Sequence, residues 1–358
     1  MYVCVYAICK NEEKFAERWA KSMSEADGIY VLDTGSSDKT AEILRKHKVN
    51  VTVEEIKPWR FDTARNRSLS LVPVNADICV CTDLDEVFEK GWRKKVEAAW
   101  ISGVNRLNYR YTWSFNSDGS EGTVFFSDKI HSRHEYKWVN PVHEVLSYIG
   151  SKKSVMRLAK GVQLNHYPDE TKSRGQYLKL LELAVQEDLK NDRNMHYLGR
   201  EYMFHGDWDK AIITFKRHLS MENAVWEEER CASMRYTAFC YENKGETSEA
   251  KRWYHKAVGE MPYTREPWVD FGKFCYRQKD WYGVIYLIKN ALLITERRLN
   301  YITDADAWGS LPHDLLSLGY YYTKDYEKAL ESAKTAFSLS PNDMRIKENI
   351  KLISEMIK

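Results

Sequence analysis

Val80-Cys81-Thr82-Asp83-Leu84-Asp85-Glu86 decides how this chain is read. Three carboxylates stand at the end of an apolar, strand-like run with no cation between them. Burying such a cluster uncompensated is costly, and a divalent ion is the natural partner for oxygen ligands of this kind. An ion held there can grip a diphosphate. Upstream, Val31-Leu32-Asp33-Thr34-Gly35-Ser36-Ser37-Asp38-Lys39-Thr40 has the same layout of strand, small polar turn and helix. Two such strand ends on one α/β sheet make a nucleotide-diphosphate site, with Asp83 on a ribose hydroxyl or a metal-bound water and Asp85 on the ion.

Working outward, the alternation continues. Residues 2–9 read as a strand and 11–26 as a helix with Phe15, Trp19 and Met23 on one face. Ile29–Leu32 is a second strand, and Ser37 or Asp38 caps a helix running to His47. Val49–Glu54 is a third strand, Phe61–Leu71 a helix carrying Arg65 and Arg67, and Ile78–Thr82 a fourth strand. This order predicts a mostly parallel sheet with ligands at its carboxyl edge. From Asn105 to Val145 the texture becomes aromatic and β-rich, which predicts a smaller separate sheet covering the site.

After Pro168 the pattern turns helical and weakly repetitive. Leu198-Gly199-x-x-Tyr202 precedes Ala211 by the offset that places Ala238 before Ala250 and Gly272 before Val284. His196–Leu219, Tyr236–Val258, Trp268–Leu292 and Leu318–Leu339 resemble tetratricopeptide helix pairs, which bury a continuous core only by stacking. The anchors Ala211, Ala250, Val284 and Ala329 are 39, 34 and 45 residues apart, where about 34 is usual; longer helices or inserted loops account for the excess. Ser340-Pro341-Asn342-Asp343 starts a last capping helix. The expected domains are 1–170 and 171–358.

Composition narrows the function classes. With 358 residues, 54 basic against 52 acidic side chains and a formal charge of +2, the chain gives no support to a nucleic-acid or anionic-membrane surface. Seven cysteines without Cys-x-x-Cys spacing read as reduced core residues of a cytoplasmic protein. No run approaches the roughly 18 apolar residues of a transmembrane helix, and Tyr2–Cys9 reads as a buried strand rather than an export signal. Asp33-Thr34-Gly35-Ser36 also resembles the loop of aspartic proteases, but that chemistry needs two such loops sharing one proton, and one copy exists.

Bland readings stand beside the functional ones. Asp83-Leu84-Asp85 can be a solvated strand end, Arg65-Asn66-Arg67 a solvated helix face, and His143 and His166 satisfied structural residues. Their order along the chain favours a site. Ala7-Ile8-Cys9-Lys10-Asn11-Glu12-Glu13, Leu32 to Thr40, Ala64-Arg65-Asn66 and Thr82 to Glu86 resemble, in order and spacing, family 2 glycosyltransferases of the GT-A fold. The subgroup with tetratricopeptide-like repeats, which includes peptide S-glycosyltransferases that modify bacteriocin cysteines, is the most similar. The resemblance implies that Ala7, Asp33 and Arg65 contact the nucleotide-sugar donor and that Asp83 and Asp85 form the metal-diphosphate motif. It implies Glu144 as catalytic base and His166 as a further metal ligand, with His143 the weaker candidate. Thr34, where a second consecutive Asp is commoner, departs from the pattern and bears on UDP as the donor nucleotide.

The expected activity is therefore an inverting transfer from a nucleotide-sugar, a UDP-sugar by resemblance, with Mn²⁺ or Mg²⁺ as cofactor. The acceptor is a peptide or protein held by the repeats, or a saccharide or glycolipid. Alternatively the repeats serve as a support or a homodimer surface, or the chain is a repeat scaffold with a silent nucleotide domain.

Overall fold

Seven consecutive residues, Val-Cys-Val-Tyr-Ala-Ile-Cys, form β1 (Val3–Cys9), and all but Ile8 are buried. A strand apolar on both faces belongs at the centre of a sheet covered on both sides, and β1 lies there. The chain, a computed structural model, is described at residues 1–116, 118–169 and 175–357. After β1 come α1 (Glu13–Met23), β2 (Gly28–Asp33), α2 (Thr40–Lys46), β3 (Asn50–Val53), α3 (Phe61–Ser70), β4 (Ile78–Cys81), β5 (Glu86–Phe88) and α4 (Trp92–Ala99). Then follow β6 (Arg106–Thr112), β7 (Val124–His131), β8 (Tyr136–Val139), β9 (Val145–Tyr148), β10 (Met156–His166) and α5 (Tyr177–Glu187). The main sheet has eight strands in the order β3-β2-β1-β4-β7-β6-β10-β5.

The sheet differs from expectation in one respect. β1, β2, β3 and β4 pair in parallel, but β7 pairs antiparallel with both β4 and β6. The aromatic segment thus extends the main sheet, making it mixed, instead of forming a separate cover. The physical reason is the open edge of β4: its unpaired backbone groups are satisfied by β7, while Leu107, Tyr109 and Tyr111 of β6 turn inward at alternate positions. Among the described residues only β8 and β9 make a separate two-stranded sheet, with Trp138 opposite Leu146. β10 follows β6 in parallel and ends antiparallel to β5, which sets His166 opposite Glu86.

The chain divides into two compact units, Met1–Gln186 and Glu187–Lys358; the boundary expected between residues 170 and 171 lies outside the described residues. The second unit is helical: α6 (Asp192–Phe204), α7 (Trp208–Ser220), α8 (Glu227–Asn243), α9 (Thr247–Glu260), α10 (Arg265–Arg277), α11 (Trp281–Leu292), α12 (Leu311–Tyr322), α13 (Tyr326–Leu339) and α14 (Met344–Glu355). The helices pack as successive pairs. Ala211, Ala250, Val284 and Ala329 each sit one turn inside the second helix of a pair and are fully buried. Opposite two of them the first helix carries glycine: a Cβ on Gly199 would lie 2.6 Å from the Phe215 ring, and one on Gly272 2.6 Å from Ile288. The extra spacing falls in α8, with 17 residues, and in residues 293–310, which carry a 3₁₀ turn at Ala305–Trp308. Among the described residues no helix is long and apolar enough to cross a membrane.

Candidate active site

Asp33 ends β2, and its Oδ1 accepts from the backbone N–H of Gly35 (3.0 Å) and Ser36 (2.7 Å). This Asx-type turn passes through Gly35 at φ +103°, which glycine tolerates. The turn is clasped by the residues after β1: Asn11 Oδ1 accepts from Ser37 N at 2.8 Å, and Glu13 Oε2 accepts from Lys39 N at 3.0 Å. The two segments quoted for the resemblance are therefore one hydrogen-bonded structure. Ala7 is placed differently from expectation. It is fully buried, and its carbonyl accepts the Ser68 hydroxyl at 2.7 Å, so it offers a donor no exposed contact.

Arg65, on α3, is buried and divides its guanidinium among three neighbours. Nε donates to Glu144 Oε1 (2.7 Å), Nη2 to Asp83 Oδ1 (2.7 Å) and Nη1 to Cys81 Sγ (3.4 Å). Burial works against its charge, but the carboxylates of Asp83 and Glu144 outweigh that and hold its pKa well above the usual value. Its guanidinium carbon lies 5.4 Å from the Trp138 ring. Asn66 next to it grips the Trp138 backbone from both sides, donating to the carbonyl (2.8 Å) and accepting from the amide (2.9 Å). Arg65 is thus a bridge inside the protein rather than a free arm for base or phosphate, which is where the resemblance put it.

The acidic run is not without counter-charge, contrary to what its sequence neighbours suggest. Lys129, from β7, approaches Asp83 Oδ2 at 3.5 Å and Glu86 Oε1 at 3.6 Å. Burial disfavours the Asp83 charge, yet Arg65 and Lys129 together drive its pKa far below the usual carboxylate range. Glu86 is the innermost acid. Its Oε1 accepts from Tyr111 OH (2.7 Å) and its Oε2 from the Asp83 amide (2.8 Å), while burial and the charges of Asp83 and Asp85 push its pKa up against the pull of Lys129. Four carboxylates (Asp83, Asp85, Glu86, Glu144) thus meet two permanent cations (Arg65, Lys129). The excess of two negative charges is that of one divalent ion.

Asp85 is the cluster carboxylate that meets neither cation, and His166 stands beside it. Asp85 Oδ2 lies 3.4 Å from His166 Nε2, an approach set by the β10–β5 register and by Tyr167 N donating to the Asp85 carbonyl at 2.8 Å. His166 Nδ1 faces the Trp113 carbonyl at 2.8 Å, and the ring stacks on Trp113 at 4.3 Å. A carbonyl only accepts, so Nδ1 carries the hydrogen and Nε2 keeps its lone pair toward Asp85. Burial lowers the His166 pKa and the Asp85 contact raises it more, so the net direction is up. A proton and a metal ion therefore compete for the same gap.

Glu144 follows a turn in which Asn140 (φ +78°) and His143 (φ +50°) adopt the left-handed region, a strained arrangement for non-glycine residues. That turn delivers Glu144, with a side chain 11% exposed, to Arg65. His143 packs its ring 5.8 Å from that of Tyr177. The structure therefore joins Arg65, Asp83 and Glu144 directly and Asp85 to His166, while the Asp33 carboxylate accepts amides of its own turn. Lys129 and Tyr111 were missed; no short motif surrounds either, and only pairing of β6 and β7 with the sheet brings them in.

Comparison with known proteins adds one family. Residues 4–113 match the model of glycosyl transferase family 2. No curated protein matches. Among solved structures, MamA is 18% identical over 46% of this chain and 81% of its own, with a TM-score of 0.38. The C-terminal part of a TPR repeat-containing protein from Cytophaga hutchinsonii is 17% identical over 51% of this chain and 66% of its own, with a TM-score of 0.41. The APC/C hetero-tetramer Cut9–Hcn1 is 14% identical over 50% of this chain and 33% of its own, with a TM-score of 0.40.

Proposed function

We propose that this chain, a family 2 glycosyltransferase domain followed by tetratricopeptide-like repeats, moves a sugar from a UDP-sugar to an acceptor with inversion at the anomeric carbon. The observation that carries the reading is the acidic run Asp83–Glu86 at the end of β4, inside the family-matched segment, with a carboxylate–imidazole pair formed where His166 of β10 meets Asp85. The residues fit a bound divalent ion: Asp85 and His166 would hold it, with Asp83, whose oxygens meet Arg65 and Lys129, as a further candidate ligand. Mn²⁺ or Mg²⁺ there supplies neutralising charge for the departing diphosphate.

The other roles fall to the chain's own side chains. Glu144 acts as general base, taking the proton from the acceptor as its nucleophilic atom bonds to the sugar's anomeric carbon and the bond to the diphosphate breaks. Arg65 fixes Glu144 relative to Asp83. Asp33 and the clasped turn behind it serve the nucleoside. The division of labour follows residues 1–170 for catalysis and 171–358 for the repeats, whose exposed faces would take a peptide or protein acceptor; a saccharide acceptor is the second reading. Seven free, buried cysteines suit a reducing, cytoplasmic setting.

The test is donor hydrolysis over a panel of UDP- and GDP-sugars with and without Mn²⁺, followed by mass spectrometry of candidate peptides. Manganese-dependent release of UDP is expected, Asp85→Asn losing it and Glu144→Gln binding donor without turnover. Near parental turnover by Asp85→Asn would overturn the assignment, and unchanged turnover by Glu144→Gln would clear that residue of the base role.

A further inference from the structure

The helical unit contains a second meeting of carboxylates and imidazole, assembled from three helices. Asp192 opens α6, His218 stands near the end of α7 and Glu229 near the start of α8. One potential ligand atom from each lies within 4.8 Å of the other two. His218 is fully buried and Glu229 is 3% exposed. Carboxylates and imidazole are rarely drawn together out of water without a reason, because an unpaired buried polar group is costly.

The second observation is the histidine itself. His218 Nδ1 lies 2.9 Å from Ser233 Oγ, while its Nε2 is buried and meets no hydrogen-bond partner among the described residues. Ser233 Oγ also lies 2.8 Å from His196 Nδ1. A hydroxyl has one hydrogen, so it donates to one ring and accepts from the other. When His218 Nδ1–H donates to Ser233 and Ser233 donates to His196, Nε2 of His218 is left with a lone pair. This is the arrangement of metal-binding histidines, whose other nitrogen is held by a hydrogen-bond acceptor.

The carboxylates are held as well. Glu229 accepts from the Tyr301 hydroxyl, and Asp192 Oδ1 accepts from Asn223 Nδ2 at 3.1 Å. Arg193, its guanidinium carbon 5.9 Å from the Tyr301 ring, offsets part of the Glu229 charge. That offset disfavours an ion bound by charge alone and favours one forming a strong bond to imidazole nitrogen. Ligands sharing one zinc ion stand about 3.3–3.5 Å apart, given metal–ligand distances of about 2.0–2.2 Å. The 4.8 Å spread thus asks for an inward movement of up to about 1.4 Å, which Asp192, only half-buried on a first helical turn, can make.

We propose that Asp192, His218 and Glu229 form a divalent transition-metal site, with zinc the best-suited ion, that ties together the first three helices of the repeat unit. It is separate from the acidic cluster at β4 and does not depend on the activity assigned there. The test uses the full chain carrying Asp85→Asn, which silences the first unit's own acid–imidazole pair, stripped with EDTA and titrated calorimetrically with ZnCl₂. One zinc ion per chain is expected, with affinity falling at least about tenfold on adding Asp192→Asn, and about 10–100-fold on adding Ser233→Ala, which keeps all three ligands but removes the partner of Nδ1. Because Asp192 is half-exposed, its amide variant is expected to fold, which circular dichroism checks. Crystals of the parent chain soaked in zinc should give an anomalous peak bonded to His218 Nε2, an observation that needs no variant. Absence of zinc uptake, no peak at that nitrogen, or uptake unchanged by Asp192→Asn would overturn the site.

Discussion

In the α/β unit four carboxylates and two cations converge where β4 ends, whereas the recurring feature of the helical unit is a small residue facing a large one, Gly199 on Phe215 and Gly272 on Ile288. The first arrangement comes from sheet register, which brings α3, β5, β7 and β10 to one edge. The second comes from repetition, each pair restating the same contact. The difference teaches where each unit is fragile: the α/β unit at its charges, the helical unit at its volumes. Substitutions that separate charge from volume therefore test the comparison directly.

The largest effect is expected at Arg65. Replacing it with methionine keeps the apolar stem over Trp138 but leaves Asp83 and Glu144 without their shared cation. Removing one partner of a buried pair costs about 3–5 kcal/mol, and Asp83, a third exposed, softens this toward the lower end. Denaturant unfolding of the Arg65→Met chain should show the first unit losing about 3 kcal/mol, with the helical unit's transition unmoved. A shift under 1 kcal/mol would mean that Lys129 and solvent suffice.

Volume is tested by a glycine pair in the helical unit. Gly199→Ala puts a methyl 2.6 Å from Phe215, which predicts a loss of about 1–3 kcal/mol from overpacking. Gly259→Ala, on α9 with nothing within 4 Å of the new Cβ, should gain about 0.5–1 kcal/mol by the helix preference of alanine. Opposite signs are the expectation, read from thermal unfolding. Equal signs would refute the small-against-large account of the repeats.

Acid provides a probe of the α/β unit away from its site. His131 on β7 is fully buried: Nδ1 donates to the Ser132 carbonyl at 2.8 Å, and Nε2 faces Tyr6 OH at 2.7 Å, which itself accepts from Trp138 Nε1 at 2.8 Å. Burial pushes its pKa down to about 3. The unfolded ring titrates near 6.5, so below that pH the unfolded state binds a proton the folded state refuses, and stability falls with pH until about 3. At pH 5 the loss is about 2 kcal/mol. Unfolding at pH 7 and pH 5 measures it, and His131→Asn should flatten that slope.

Reading the chain in one dimension served the parts built from local pattern. The strand–turn–helix order through Cys81, the acidic turn and the four helix pairs all depend on neighbours in sequence, and the architecture of an α/β unit followed by helical repeats is present as expected, whereas the antiparallel entry of β7 that makes the sheet mixed is not. Lys129 was invisible because its role needs β7 to pair with β4, a choice made by the open edge rather than by any motif. His166 opposite Glu86 depends equally on where β10 ends against β5. Charge balance is a sum over such pairings, so the three-acid run looked barer than it is.

One legible signal concerns the repeat turns and leads to the smallest effect. Asp207-Trp208, Asp280-Trp281 and Asp325-Tyr326 recur where second helices begin, and each aspartate caps its helix by accepting from the amide three residues on. At the matching position of α9 stands Glu246, one methylene longer, which makes no such cap and instead pairs with Lys244 at 2.8 Å. An N-cap is worth about 1 kcal/mol and an exposed ion pair about 0–1. Glu246→Asp should therefore stabilise the helical unit by about 0.5 kcal/mol, and Asp280→Ala destabilise it by about 1. Both are within reach of paired thermal melts, and a gain at 246 would show that the second repeat tolerates a weaker start than its neighbours while keeping the same packing.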